Sequence, residues 1–331
     1  MQKRLQKRRY AAAVLTAAML MATPAAALFS ARETEAAAVP ADGAPVAREL
    51  EIHTYKNIPY RTQFLSTDYE GDDVTYALKQ EPKRGSVEID GANFTYTPLN
   101  GKTGTDSFTY VAIDTEGNES APATVTVTIS KVKSDVTYSD MEENPAAAAA
   151  QQLAETGIFT GCRIGEKFFF EPDRTVSRSE FLAMTMEAAG VAAMAVTMTG
   201  FCDDSSIPVW AKAYASAGLS SGVVQGSETA DGIAFRGEDP ITYNEAASVL
   251  DRVLSVRDVD LKSWYTDREA VPSWAAQAVG NMEAEQVLAA GSFGSSTLEN
   301  PVTRAAAAQM LVAAQDLLKS ERRGPLDWLT G

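Results

Sequence analysis

Hydrophobic and polar positions follow two different periods along this chain, and the change from one to the other occurs once. Between about Glu49 and Ile129, short runs of β-branched and aromatic residues are separated by turn residues. Thr124-Val125-Thr126-Val127-Thr128-Ile129 alternates strictly, which predicts a strand with the two valines and Ile129 facing a core and the threonines facing water. Ser86–Ile89, then Asp90-Gly91, then Asn93–Tyr96 reads as a hairpin, with Asp90-Gly91 suited to positive φ at the turn. Asp106–Ile113 predicts a further strand. About seven strands in roughly 80 residues predict an antiparallel β-sandwich, placed at 48–130.

After Ser134 the alternation disappears and a helical period replaces it. Ala246, Val249, Leu250, Val253 and Leu254 share one helical face, as do Ala307, Met310, Leu311, Ala314, Leu317 and Leu318. Phe181, Leu182, Met184 and Ala188 form a shorter version. Each predicts an amphipathic helix with one buried stripe.

A pattern recurs three times in this helical half. It opens with an aromatic–x–Asp, at Tyr138-Ser139-Asp140, Phe201-Cys202-Asp203 and Tyr265-Thr266-Asp267. An Ala-rich stretch and a loop follow. Each copy closes on a helix start, around Ser177-Arg178, Thr242-Tyr243 and Thr303-Arg304. Arg178, Tyr243 and Arg304 stand 65 and 61 residues apart. A period of this size means one supersecondary unit copied, each copy too small to bury a core alone. The copies are placed at 138–190, 199–257 and 263–319, with a tail at 320–331.

The repeated residues carry two kinds of information. Ser177 with Glu180, and Thr242 with Glu245, spell capping boxes, so helix initiation accounts for them. Thr303 keeps the cap but has Ala306 where the Glu belongs. Arg178 and Arg304 fall at the first helical position, where a cation opposes the helix dipole, so capping does not account for them. A guanidinium beside free helix amides suits a carboxylate or phosphate, and pairing with a nearby acid is the alternative. Trp210 and Trp274 each precede an Ala-rich stretch, where an indole can cap the core or offer a flat face to a sugar.

These motifs together resemble the S-layer homology (SLH) domain of bacterial surface proteins. Phe201, Asp203, Trp210-Ala211, Gly222-Val223, Gly226, Phe235 and Pro240-Ile241-Thr242 fit its pattern. So do Gly157-Ile158, Gly161, Phe170-Glu171-Pro172 and Val176–Phe181, and in the third copy Trp274-Ala275 and Pro301–Ala305. The resemblance covers about 180 residues. It implies an all-α pseudo-threefold triplet whose grooves bind secondary cell wall polymer, often with a pyruvate-ketal cap whose carboxylate meets the motif arginine. Arg178, Arg304, Trp210, Trp274, Gly161 and Gly226 are then the wall-polymer residues. Three departures bear on this: Pro145 stands where the first Trp belongs, Tyr243 replaces the second Arg, and Ala290 lies near the third loop Gly. One or two competent grooves are expected. Arg178 pairs with Trp210, or else Arg304 pairs with Trp210 and Arg178 with Trp274. The sandwich segment resembles bacterial cadherin-like and Ig-like modules, through Ser66–Tyr76, Phe94-Thr95-Tyr96-Thr97-Pro98 and Gly104–Tyr110. Asp68, Glu70, Asp72, Asp73 and Asp114 in it are candidate calcium ligands, with solvated turn residues as the other reading. No other cofactor is indicated.

The chain has 331 residues and a formal charge of −15. Lys3, Arg4, Lys7, Arg8 and Arg9, the apolar Ala11–Ala22 and Ala25-Ala26-Ala27 read as a secretory signal peptide at 1–27. An Ala/Pro/Glu-rich linker at 28–47 follows. Cleavage removes five basic and no acidic residues and leaves −20. That charge excludes nucleic acid as a natural partner, and no further segment is apolar enough to span a membrane. Two cysteines, Cys162 and Cys202, could pair or remain thiols, and His53 is the only histidine, which removes Cys/His metal chemistry. No nucleophile–base or paired-carboxylate arrangement stands out. The expectation is a non-enzymatic exported protein of the cell wall or S-layer, with a sandwich as spacer or adhesive module of unspecified partner. A soluble secreted binder with degenerate SLH repeats, or a non-catalytic accessory subunit of a surface enzyme, is the alternative.

Overall fold

The structure, a computed structural model, describes residues 43–191, 193, 195–265 and 268–322. The signal peptide, nearly all of the linker, Thr266, Asp267 and residues 323–331 lie outside these.

The first part is a β-sandwich. Its strands are β1 (Val46–Ala47), β2 (Leu50–Tyr55), β3 (Tyr60–Gln63), β4 (Ser66–Thr67), β5 (Thr75–Gln80), β6 (Gly85–Asp90), β7 (Asn93–Pro98), β8 (Gly104–Ile113) and β9 (Ala123–Ser130). One sheet has the order β2-β9-β8-β5, the other β3-β7-β6, and β1 pairs with β4. Val125, Val127 and Ile129 are buried, as their alternation requires. They meet Phe64, Phe94, Tyr96, Phe108 and Tyr110 between the sheets. Two polar devices lock this core. The Tyr110 hydroxyl bonds to the Arg48 carbonyl at 2.6 Å and the Leu65 carbonyl at 2.7 Å. Buried Asp106 accepts from Lys83 N (3.0 Å), Arg84 N (2.7 Å) and the Tyr96 hydroxyl (2.9 Å).

Three expectations need correction here. The sandwich is not wholly antiparallel: β2 runs parallel to β9, because the first long strand enters beside the last one. It begins at Val46, within the segment read as linker, since a two-residue bridge leaves no alternation to detect. The hairpin turn is Gly91-Ala92, because Asp90 pairs with Asn93, and only Gly91 takes positive φ (61°).

The second part is built from three units and is mainly helical rather than all-α as expected, because the loops of the first two units pair into short hairpins. The first holds α1 (Ala147–Glu155), a hairpin of β10 (Cys162–Ile164) and β11 (Lys167–Phe169), and α2 (Arg178–Ala189). The second holds α3 (Lys212–Ser220), β12 (Ser227–Thr229), β13 (Gly232–Ala234) and α4 (Tyr243–Leu254). The third holds the short α5 (Leu261–Trp264), then α6 (Ala276–Ala284) and α7 (Arg304–Arg322). Both expected capping boxes are formed, at Ser177/Glu180 and Thr242/Glu245.

The three units close on one another through a ring of main-chain bonds. Val176 N donates to the Val302 carbonyl (2.9 Å), Val302 N to the Ile241 carbonyl (2.8 Å), and Ile241 N to the Val176 carbonyl (3.0 Å). All three side chains are buried. A ring of this form needs one residue from each unit, so the arrangement is threefold in its connectivity.

The two parts are tied together. Lys133 N and Ser134 N both donate to the Glu155 carboxylate at the end of α1 (2.9 Å each). Ile58 of the sandwich packs against the helical core.

Candidate functional site

The first two repeats use the Asp of the aromatic–x–Asp to brace their own loops. Asp140 accepts from Phe170 N (2.9 Å) and Glu171 N (2.8 Å), and Asp203 accepts from Phe235 N and Arg236 N (2.8 Å each). The opening aromatic packs on the loop aromatic: Tyr138 on Phe170, Phe201 on Phe235, Tyr265 on Phe293. Gly161 and Gly226 serve the same bracing. Both have positive φ, and a Cβ at Gly226 would lie 2.7 Å from the Ala234 carbonyl oxygen. At Gly161 it would press on the Phe169 carbonyl and Tyr138. Their requirement is steric, although Gly226 also lines a groove described below.

The motif arginines sit on these braced loops. Arg178 Nε donates to the Phe235 carbonyl (2.9 Å), its guanidinium lies 5.7 Å from the Phe235 ring centre, and Nη1 pairs with Glu245. Arg304 Nη1 donates to the Phe170 carbonyl (3.0 Å) and pairs with Glu171 (2.6 Å), and the guanidinium lies 4.9 Å from the Phe159 ring centre. Each arginine therefore reaches into the next repeat. The side chains are 14 % and 7 % exposed.

The expectation of free helix amides beside them is not met. At α2, Arg178 N bonds to the Asp239 carbonyl, Ser179 N to the Gly237 carbonyl and Glu180 N to Ser177 Oγ. At α7, Arg304 N bonds to the Arg174 carbonyl, Ala305 N to the Pro172 carbonyl and Ala306 N to Thr303 Oγ1. The interlocking of repeats consumes the donors that would otherwise face an anion. Only the guanidinium groups remain for that task.

Two grooves result. In one, of about 320 Å³, Arg304 and Trp210 line the same cavity with Phe159, Phe170, Glu180, Glu187 and Tyr214. In the other, of about 300 Å³, Arg178 and Trp274 share a cavity with Gly226, Glu245, Ser248 and Arg252. The second of the two pairings left open is the one formed. Trp210 and Trp274 lie in the turns just before α3 and α6 and are 52 % and 57 % exposed. Aromatic faces open to solvent beside a cation suit a sugar bearing an acid.

Arg252, Glu187 and Tyr214 were not among the candidates. Arg252 and Glu187 stand nine residues beyond Tyr243 and Arg178, at one equivalent helical position, so aligning the repeats by register would have found them. The Tyr214 hydroxyl donates to Glu187 at 2.6 Å.

Of the proposed calcium ligands, Glu70 and Asp72 meet, and Glu116 joins them with carboxylate oxygens within 4.8 Å of one another. Asp72, then Asp114, push the Glu116 carboxyl above its ordinary range. Asp68 caps its own turn, accepting from Glu70 N and Gly71 N through Oδ1, and its buried Oδ2 has no partner. Asp114 is spent on its own loop, bonding Glu116 N and Asn118. Asp73 lies outside the three-carboxylate group. Cys162 and Cys202 are both exposed free thiols.

The sandwich belongs to a recognisable class: residues 42–128 match the family model of a bacterial Ig domain. Among curated proteins, the chain is 29% identical over 136 residues to the surface-layer 125 kDa protein of Lysinibacillus sphaericus, covering 41% of this chain and 10% of that one. It is 26% identical over 155 residues to exoglucanase XynX of Acetivibrio thermocellus, covering 45% and 13%. The chain thus spans about a tenth of the length of these relatives. Among solved structures, an endo-fucoidan hydrolase of glycoside hydrolase family 107 is 23% identical over 28% of this chain and 14% of its own, with a TM-score of 0.24, which is too low to carry an argument. Among the described residues, no helix is long and apolar enough to cross a membrane.

Proposed function

We propose that this is a non-catalytic, exported surface protein whose helical part is an SLH triplet that grips secondary cell wall polymer. The Ig-like sandwich is then a spacer or adhesive module held away from the wall. The observation that carries the reading is the groove in which Arg178, Arg252 and Trp274 line one cavity. A pyruvylated sugar has two needs, a cation for its carboxylate and a flat apolar face for its ring, and this groove meets both.

Charge ranks the two grooves. The Arg178 groove holds two cations and one acid, Glu245. The Arg304 groove holds one cation with Glu180 and Glu187, and both motif arginines are already paired, Arg178 with Glu245 and Arg304 with Glu171. Acidic polymer therefore favours the Arg178 groove. The likeness to a surface-layer protein supports a wall location, and the aligned stretches are longer than the Ig-matching segment, so they extend beyond it. The acids that line the grooves are engaged as structural acceptors: Glu245 and Glu180 by their capping boxes, Glu187 by Tyr214. That supports binding over acid–base catalysis.

The test is retention on purified wall sacculi that keep their polymer. Arg178→Ala should weaken retention by roughly 10-fold or more, the worth of a charged hydrogen bond, and Arg304→Ala should weaken it less. Unchanged retention in both variants and in the double variant would remove the arginines from polymer binding.

A further inference from the structure

The threefold plan calls for a third groove, and the structure has one. Its equivalents of Arg and Trp are Tyr243 and Pro145, and both line a cavity of about 610 Å³ with the loop residues Leu288–Ala290. The second wall comes from the sandwich, whose strand β3 supplies Tyr60, Arg61, Thr62 and Gln63. That volume lies within the roughly 300–1,000 Å³ of small-molecule sites.

Every charged position of the other two grooves is neutral here. Arg178 and Arg304 correspond to Tyr243, Glu180 and Glu245 to Ala306, and Glu187 and Arg252 to Ala313. Three charged residues do line the cleft, and each is committed elsewhere. Arg61 pairs with Asp90 (2.9 Å), Asp316 with Lys319 (2.8 Å), and Glu283 accepts from Gly291 N and Phe293 N. What remains is two phenols, from opposite walls, the hydroxyls of Thr62, Ser292 and Thr297, and the amides of Gln63, Asn93, Gln286 and Gln309.

Gln286 has a backbone cost. It holds φ at 62°, in the left-handed region, where the equivalent residues of the other repeats are Gly157 and Gly222. A non-glycine residue there is disfavoured by about 1 kcal/mol or more, and this one lines the cleft.

We propose that this interdomain cleft is a second kind of carbohydrate site, which takes an uncharged oligosaccharide. Tyr60 and Tyr243, each packed in part against its own core, offer the rest of their rings and their hydroxyls, the amides supply directional hydrogen bonds, and the one lining cation, Arg61, is paired with Asp90. The proposal leans on the reading of the two arginine grooves only for the comparison of equivalent positions. An uncharged glycan could come from amino-sugar strands of the wall or from a pyruvate-free stretch of the same polymer.

The experiment is calorimetric titration of the exported chain with chitotriose and, separately, with chemically depyruvylated wall polymer. At least one should bind saturably, and the one that does assigns the source. Tyr243→Ala and Tyr60→Ala should each weaken that binding about 10-fold, the worth of a lost stacking contact. Gln286→Gly should weaken it severalfold while leaving the melting temperature equal or higher, which separates ligand contact from folding. Both probes lack an acid for the arginine grooves to select, so failure of the acidic-polymer reading would not imitate failure here. Absence of binding in both titrations, or binding insensitive to Tyr60, Tyr243 and Gln286 together, would overturn the proposal.

Discussion

Arg178 and Arg304 occupy the same place in their repeats but meet different surroundings, and the difference decides what each can do. Both rest on a loop carbonyl and an aromatic ring, and both pair with an acid of the following repeat. Arg178 has Arg252 in its cavity, and Arg304 has Glu187 instead. Arg252→Glu should therefore weaken acidic-polymer binding as much as Arg178→Ala, read as loss of retention on sacculi. The sandwich offers a separate prediction. Burial would raise the Asp106 carboxyl, but the amides of Lys83 and Arg84 and the Tyr96 hydroxyl outweigh this and hold it below its ordinary value. Its contribution to stability is then complete above about pH 4 and is lost as pH falls through the lowered value. Asp106→Asn should lower stability by about 1–3 kcal/mol at pH 7 and flatten the acid limb of a melting-temperature profile. At the acidic turn, Glu116 is repelled by its neighbours, so Glu116→Gln should raise the melting temperature in the presence of chelator. Glu116 could not be read from the sequence, because it lies 44 residues beyond Asp72 and reaches it only through the packing of the two loops.

At the scale of elements, helix capping and strand alternation were legible because each is a local code. Ser177/Glu180 and Thr242/Glu245 form the boxes that their spacing spells. Val125, Val127 and Ile129 face the core as their alternation requires. What was not legible is the fate of groups that another repeat supplies or consumes. The amides of α2 read as free for an anion, yet the carbonyls of Asp239 and Gly237, from the neighbouring repeat, take them. Likewise the steric need for glycine at Gly161 and Gly226 was not legible, because it comes from loop carbonyls that leave no room for a Cβ. Gly226→Ala should thus cost more than 1 kcal/mol of stability, since it adds backbone strain to a clash with the Ala234 carbonyl. Denaturant unfolding would measure it.

At the scale of the molecule, the ring through Val176, Ile241 and Val302 sets which arginine meets which tryptophan. Sequence spacing left two pairings open because it does not show which repeat's loop each arginine reaches, and closure of the ring brings Arg178 to Trp274 and Arg304 to Trp210. Ile241→Ala should cost about 2–5 kcal/mol and lower the stability of all three repeats in a single transition, because no repeat holds its partners' main-chain bonds alone. The groove with Tyr243, Pro145 and Ala306 at the positions of Arg, Trp and Glu is the one the sandwich overlies. The most direct test of the wall-binding claim is calorimetric titration of wild type and Arg178→Ala with a pyruvylated fragment of the wall polymer and its depyruvylated counterpart. Wild type should bind the pyruvylated fragment at least about 10-fold more tightly in the arginine groove, and Arg178→Ala should erase that preference. Equal affinity of wild type for both fragments would contradict it.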